Sequence, residues 1–193
     1  MPFKNRGGSL SRLALVGALA CLGMGCGPTK RVDPTEAVFA DFAKRVDEYV
    51  ALHKQVADSV GVLDETKSQT EITTRAGWLA NGIIAARAQA KPGDIFTTEA
   101  ATTLATLIRE EYRRRPPRVR DSREDAQDEL PDFEPHVNQV YPTTYPLATF
   151  PATLLPLLPR LPEEVEYRIV GHYLILRDVE ANVIIDFMPN AIP

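Results

Sequence analysis

The sequence predicts an α+β protein in which an N-terminal three-helix segment packs on a small C-terminal antiparallel β-meander. Apolar residues recur at spacings of three and four between residues 39 and 112, as they do on one face of an α-helix. Short runs rich in β-branched and aromatic residues begin at residue 165. We therefore expect a helical region over residues 35–115, a charged linker over 116–135, and a proline-rich segment with the meander over 136–193. The helices and the meander are expected to form one domain.

The first 25 residues have the pattern of a signal peptide. Lys4, Arg6 and Arg12 lie in a stretch without acidic residues, and an apolar run over residues 13–24 follows them. That run is too short to span about 30 Å of hydrocarbon as a helix, and no later segment approaches about 20 uninterrupted apolar residues. We therefore expect an exported protein in which residues 26–34 form a tether before the first helix.

Both cysteines lie at or near the end of the apolar run. Residues 22–26 read LGMGC and resemble a bacterial lipobox, in which a peptidase cuts before a cysteine that carries lipid. Cys21, which follows residues 18–20 (ALA), is the alternative lipidation site, and the same stretch also fits a cleavage signal without lipid.

The expected product is a lipoprotein of the cell envelope, anchored through Cys26 in the outer membrane and facing the periplasm. Gly27, rather than an aspartate, follows the cysteine, and by resemblance to sorting in two-membraned bacteria this permits transfer to the outer membrane. The alternative is a secreted soluble protein.

The mature chain is expected to be acidic. Cleavage before Cys26 removes three of the 22 lysines and arginines and none of the 26 acidic residues, which leaves a formal net charge of about −7. Nucleic acid is therefore not an expected partner, because binding to phosphates needs clustered positive charge. The expected partners are the membrane, through the lipid anchor, and an envelope protein or a cell-wall component.

The most regular pattern predicts a first helix that ends near Val60. Asp33 is its expected N-cap, Pro34 lies in its first turn, and Gly61 follows its end. One face carries seven residues at alternating spacings of three and four, namely Phe39, Phe42, Val46, Tyr49, His53, Val56 and Val60.

Two further helices are predicted before the linker. The second runs from about Thr70 to Ala90, where residues 91–94 (KPGD) form a turn. Thr97 or Thr98 caps the third helix, which two prolines close at residues 116 and 117. The apolar face of the second helix carries Ile72, Ala76, Leu79, Ile83 and Ala86, and that of the third carries Ala101, Leu104, Leu107, Ile108 and Tyr112.

Residues 113–134 divide into a basic half and an acidic half and offer almost no apolar face. We favour a solvated, partly helical linker whose opposite charges pair with one another. The alternative is an arm that binds anions or docks a partner.

Three strands are predicted over residues 165–170, 173–177 and 183–187. Before them, residues 138–141 predict an edge strand and residues 151–155 a single helical turn.

The loop Gly171-His172 fits the glycine-first loop of a type II′ hairpin and therefore fixes the register of the first two strands. In that register Glu166 lies opposite Arg177. One face of the hairpin is then apolar and faces the helices, whereas Glu166 and Arg177 form an exposed pair on the other face.

Four stretches occur in order along the chain: residues 46–50 (VDEYV), 93–97 (GDIFT), 167–171 (YRIVG), and 176–187, which begin LRD and end DF. In these stretches the chain resembles a family of uncharacterised exported bacterial proteins, a domain of unknown function found in lipoproteins. The resemblance spans nearly the whole mature chain and implies a shared fold. It implies no activity, cofactor or catalytic residue.

No motif of a known catalytic chemistry stands out. The sequence has no phosphate-cradling glycine loop, no Gly-x-Ser-x-Gly elbow and no His-Glu-x-x-His helix, so we assign no catalytic residue, cofactor or metal ligand. His53 is expected to be a core histidine with a hydrogen-bond partner, and the alternative is a buried titrating group. Trp78 is expected to pack beside the apolar face of the second helix, and the alternative is a binding platform.

The favoured function is an envelope-tethered binding or structural module. The alternative is an envelope hydrolase that uses His136, His172 and nearby carboxylates. A deep pocket joining the two histidines would favour the hydrolase, and a shallow surface with one exposed apolar patch would favour the module.

Replacing Cys26 by serine tests the anchor. The native protein should partition into detergent, and Cys26→Ser should either release the protein or leave an uncut precursor, because serine cannot carry the thioether lipid. Cys21→Ser is the matched control and should behave like the native protein. If Cys26→Ser is processed and still partitions into detergent, Cys26 is not the anchor.

Overall fold

The computed structural model of the protein describes residues 33–61, 68–116, 133–142 and 150–192. Within these residues three α-helices are followed by a three-stranded antiparallel sheet, which confirms the predicted α+β class. The predicted signal peptide with both cysteines, the tether up to residue 32, and residues 117–132 of the predicted linker lie outside the described residues.

The first helix, α1 (Pro34–Val60), has the predicted caps. The side chain of Asp33 accepts a hydrogen bond from the backbone N–H of Thr35 at 2.8 Å. Gly61 ends the helix with a φ of +89°, a conformation that favours glycine, and donates its N–H to the carbonyl of Ala57 at 3.0 Å. The buried face carries Phe42, Val46, Tyr49, Val50 and His53.

The second helix, α2 (Gln69–Ala86), ends four residues before the predicted position. The guanidinium of Arg87, the next residue, donates to the side chain of Asn138 and to the carbonyl of Ile185. Asn138 in turn donates its side-chain N–H to the carbonyl of Arg87 at 2.8 Å. These long-range bonds hold the chain at Arg87 outside the helix, and a periodic pattern cannot reveal them.

The predicted apolar face of α2 is buried only at Leu79 and Ile83, whereas Ala86 at its end is exposed. Ile72 on the same face remains 43% exposed. The prediction that Trp78 packs is wrong, because its side chain is 60% exposed. Periodicity shows which residues share a helix face but not how much of that face another element covers.

The third helix, α3 (Thr98–Arg114), has Thr97 as its N-cap. The side chain of Thr97 accepts a hydrogen bond from the backbone N–H of Ala100 at 3.3 Å. Its last turn carries Arg113 and Arg114, a favourable position for cations at the negative end of the helix dipole. Its buried face carries Ala100, Leu104, Ala105, Ile108 and Tyr112.

The sheet has the strand order β1-β2-β3. Its strands are β1 (Val165–Val170), β2 (Tyr173–Asp178) and β3 (Ile184–Met188). The predicted register between β1 and β2 is confirmed, with Glu166 opposite Arg177. Gly171 has a φ of +56°, as the first position of a type II′ loop requires.

The edge strand predicted over residues 138–141 is reduced to a single bridge beside the start of β3, because Asn138 lies in a turn with a φ of +66°. The bridge joins Val140 to Val183, and backbone hydrogen bonds of 2.8 Å link Asn138 and Gln139 to Ile184. This segment covers the chain at residues 182–184, where β3 begins. The predicted helical turn near residues 151–155 is a 3-10 helix at Leu155–Leu157.

Both faces of the sheet are covered. The helices pack on the face that carries Tyr167, Leu174 and Leu176. The opposite face has a smaller apolar cluster of Tyr141, Val170, Ile175 and Ile184, with Phe133, Tyr173 and Phe187 beside it.

The prediction that Arg177 is exposed is therefore wrong, because this side chain is only 8% exposed. Its Nε donates to Glu166 at 2.7 Å and a terminal nitrogen donates to Asn182. Its guanidinium also lies 5.9 Å from the ring centre of Tyr141. Tyr141 belongs to the segment before the meander, so the hairpin sequence alone gives no sign of this cover.

Alanine substitutions on the two faces of β2 test this packing. Leu176→Ala should lower the free energy of unfolding by about 2–5 kcal/mol, because it leaves a cavity between the sheet and the helices. Arg177→Ala should cost about 1–3 kcal/mol, because Glu166 and Asn182 lose a charged donor. Lys44→Ala, in an exposed pair with Glu48 on α1, is the control and should cost about 0–1 kcal/mol in denaturant titrations. An Arg177→Ala variant as stable as the control would contradict the burial of Arg177.

Candidate functional site

A buried polar centre joins α1 to the end of β2. Asp178, the last residue of β2, is fully buried. Its Oδ2 accepts hydrogen bonds from the hydroxyl of Tyr49 and from Nδ1 of His53, both at 2.6 Å. Its Oδ1 accepts from the backbone N–H of Ala181 at 2.7 Å. Tyr49 and His53 lie four residues apart on one helix face, which is why a single carboxylate reaches both.

The surroundings of this centre fix the roles of its groups. Burial, and then the negative charge of Asp178, raise the pKa of Tyr49, so its hydroxyl remains a donor. Because a carboxylate oxygen only accepts, Nδ1 of His53 is the donor to Asp178, and the other ring nitrogen, Nε2, is directed away from it. The prediction that His53 is a core histidine with a hydrogen-bond partner is thus confirmed, since its exposure is 3%.

Nε2 of His53 borders a pocket of about 330 Å³, which we call the His53 pocket; Glu163, Glu164, Val179 and Glu180 complete its lining. Glu180 lies 3.6 Å from Nε2 and forms an ion pair with Arg75. Nζ of Lys54 lies 3.0 Å from Glu164, and this hydrogen bond lowers the pKa of that carboxyl.

The lining of the His53 pocket decides what chemistry it offers. It provides an oriented imidazole and several carboxylates, but none of its residues has a hydroxyl or a thiol. A nucleophilic mechanism would need such a group within hydrogen-bond reach of the base. Among the residues that the structure describes, no group of three or more histidine, cysteine, aspartate or glutamate side chains is placed to hold a metal ion.

A larger cavity of about 650 Å³ runs beside β1, and we call it the β1 cleft. One wall consists of residues 165–168 of β1. The other wall is apolar except for Arg160 and comprises Phe150, Leu155, Pro156, Pro159, Arg160 and Leu161. The hydroxyl of Tyr167 donates to the carbonyl of Pro159 at 3.1 Å and so ties the two walls together.

The β1 cleft lies along the edge of the strand rather than over one face. Val165 and Tyr167 point toward the helices, whereas Glu166 and Arg168 point to the opposite face. Successive side chains of a strand alternate between faces, so a cavity lined by all four must lie beside the strand.

Charge is unevenly distributed in the β1 cleft. Burial raises the pKa of Glu166, but hydrogen bonds from Arg168 and Arg177 outweigh this effect and leave the pKa lowered. Glu166 is therefore a carboxylate shared by two arginines. Arg160 is exposed and has no ion-pair partner among the described residues, which leaves the lining with a surplus of positive charge.

His136 and His172, the candidates for a hydrolase, lie in separate loops. Nδ1 of His136 is 3.1 Å from the carbonyl of Glu134, and Nδ1 of His172 is 3.1 Å from the carbonyl of Ile192. Neither histidine lines the β1 cleft or the His53 pocket. Trp78 lines a separate pocket of about 200 Å³ between the ends of α1 and α2.

Sequence reasoning missed the importance of two aspartates. Asp178 follows directly after the predicted second strand, residues 173–177, and Asp186 is the single polar residue within the predicted third strand, residues 183–187. Asp186 is fully buried, and its carboxylate accepts the backbone N–H groups of Gly93, Ile95, Phe96 and Phe187 at 2.8–2.9 Å. Burial raises the pKa of Asp186, and the four hydrogen bonds oppose that rise. An acidic residue inside an apolar strand was the available signal.

Within the part of the chain that the structure describes, the fold and the cleft define an α+β domain whose β1 edge, unpaired on its outer side, lies beside a mainly apolar cavity. Comparisons with protein-family models, curated proteins and solved structures found no match for the chain. None of the helices among the described residues is both long and apolar enough to cross a membrane.

Replacing Asp178 by asparagine tests the buried polar centre. The amide keeps one acceptor oxygen but places an NH₂ among three donors, so at least one buried donor loses its partner. We expect a loss of about 1–3 kcal/mol in the free energy of unfolding. Asp41→Asn, in an exposed pair with Arg45 on α1, is the control and should change stability by about 0–1 kcal/mol. Equal effects of the two substitutions would show that Asp178 does not hold α1 to the sheet.

Proposed function

We propose that the mature protein is an envelope-tethered binding module, held at the membrane by lipid on Cys26, with the β1 cleft as its ligand site. The observation that carries the proposal is the cleft itself. Its volume of about 650 Å³ falls within the range of about 300–1,000 Å³ that is usual for ligand sites. Its lining is mainly apolar with a few charged groups, the composition that such sites typically have.

The charges of the cleft indicate the kind of ligand. Arg160 and Arg168 exceed the single acid, Glu166, in the lining. A ligand with apolar groups and one negative charge therefore matches both the walls and the charge surplus.

The hydrolase alternative has weaker support. His136 and His172 contact carbonyls in their own loops and line neither cavity. The pair of His53 and Asp178 is oriented as a general base would be, but its pocket offers no nucleophilic side chain. Binding is thus the function that the geometry supports best.

A cleft-filling substitution tests the proposal. The probe is the dye anilinonaphthalene sulfonate, which joins apolar rings to one negative charge. Leu155 is 54% exposed at the cleft, so Leu155→Trp should fill the cavity without disturbing the core. We expect the variant to bind the dye about tenfold more weakly than the mature wild type, measured by fluorescence titration.

Ile72→Trp is the matched control, because Ile72 is also an exposed apolar residue but lies on α2, outside the cleft lining. It should bind the dye as the wild type does. Dye binding that is equal in the wild type and in Leu155→Trp would overturn the assignment of the cleft as the ligand site.

A further inference from the structure

We propose that the β1 cleft binds an extended, acidic segment of a partner protein, which pairs through its backbone with the open edge of β1. The inference rests on the proposed function and specifies its ligand. It depends on three properties of the cleft: a strand edge with unused backbone groups, walls on both sides of that edge, and a surplus of positive charge.

The two edges of the sheet differ. At the start of β3, the backbone N–H of Asn138 donates to the carbonyl of Ile184. The backbone N–H of Ile184 in turn donates to the carbonyl of Gln139. Tyr141 extends this pairing by donating to Asn182 at 2.8 Å. β1 pairs with β2 on one side, and its other side has no strand among the described residues.

The hairpin loop determines which backbone groups face the open edge. A two-residue loop makes Val170 and Tyr173 a hydrogen-bonded pair, and such pairs then alternate with non-bonded pairs along an antiparallel ladder. The backbones of Glu166 and Arg168 therefore point to β2. Those of Tyr167 and Ile169 point outward.

These outward groups are available to a ligand. No described residue forms a backbone hydrogen bond with Tyr167 or Ile169 outside the sheet. Val165 also points outward, but its N–H already donates to the carbonyl of Pro162 at 3.2 Å. Two N–H groups and two carbonyls are thus presented in a row, at the spacing to which another strand can pair.

The walls of the cleft suit the alternating side chains of an added strand. On the helix-facing side, an incoming side chain would meet Leu161 and Phe150 beside Tyr167. On the opposite side it would lie next to Glu166 and Arg168, its cross-strand neighbours. A pattern of apolar residues alternating with polar ones fits both sides.

Charge decides between two sources of the strand. A second copy of this chain would bring its own β1, with the same arginine surplus, to the same edge. An acidic segment instead provides a carboxylate for Arg160, which has no ion-pair partner among the described residues. It also provides one for Arg168, which shares the carboxylate of Glu166 with Arg177. The charges therefore favour an acidic partner segment over a second copy.

The test uses synthetic peptides of six residues, the length of β1, with valine alternating with aspartate. Binding to the mature chain is measured by competition with the dye. Each backbone nitrogen is then methylated in turn, which removes one N–H without changing a side chain. We expect losses of about tenfold at every second position and little change between them, because only alternate N–H groups of the peptide face β1.

A second series tests the charge. The wild type should bind the peptide with asparagine more weakly than the peptide with aspartate. In the Arg160→Gln variant, most of this difference in affinity between the two peptides should disappear. Lys44→Gln, an exposed cation on α1, is the control and should leave the difference unchanged.

The outcomes separate this inference from the proposed function. If the dye binds in the cleft but no peptide displaces it, or if methylation has no alternating pattern, strand addition is wrong and the binding site stands. If neither dye nor peptide binds, both proposals fail. If sedimentation shows a dimer that the peptide dissociates, the edge serves a second copy, and the acidic partner is the wrong occupant.

Discussion

Asp178 and Asp186 place two carboxylates inside the sheet, where an ionised group is costly unless donors surround it. Each aspartate therefore requires a neighbouring element to supply N–H or O–H groups. Asp178 takes these groups from two side chains of α1, and Asp186 takes them from the loop between α2 and α3. The apolar layers could slide over one another at little cost, but the two carboxylates permit only one alignment. The position of the helices on the sheet depends on this requirement.

Arg87 connects these contacts to the opposite face of the sheet. Its guanidinium lies 5.1 Å from the ring centre of Tyr49, and it also donates to Asn138 and to a carbonyl of β3. Burial lowers the pKa of Arg87, and the nearby carboxylates of Asp186 and Asp94 oppose that effect. The segment that covers the second face is thereby joined to the first helix through one side chain. The packing of α1 on one face of the sheet and the position of the covering segment on the other face therefore stabilise each other.

The parts of this fold that depend on neighbouring residues could be predicted from the sequence. Asp33 and Gly61 mark the ends of α1 within one turn, and the Gly171 loop fixes the register of β1 and β2. The burial of Arg177 and the exposure of Trp78 could not be predicted, because both depend on which distant segment lies over a given face. The β1 cleft could not be predicted either, because its walls, residues 150–161 and 165–168, are close in sequence but no pattern in them shows that they enclose a cavity or that β1 is an edge strand. The sequence did indicate the location of the buried centre, where His53 interrupts an apolar stripe.

The covered edge of β3 also limits how these molecules can associate with each other. Sheets polymerise when each molecule offers two edges, because every added molecule then provides a new site for the next. Here the segment at residues 138–141 covers one end of the β3 edge, at residues 182–184, within the described part of the chain. A second copy therefore cannot pair with this part of the edge, which favours edge-to-edge contact through β1 alone. Covering part of one edge in this way lowers the risk of leaving the other edge open.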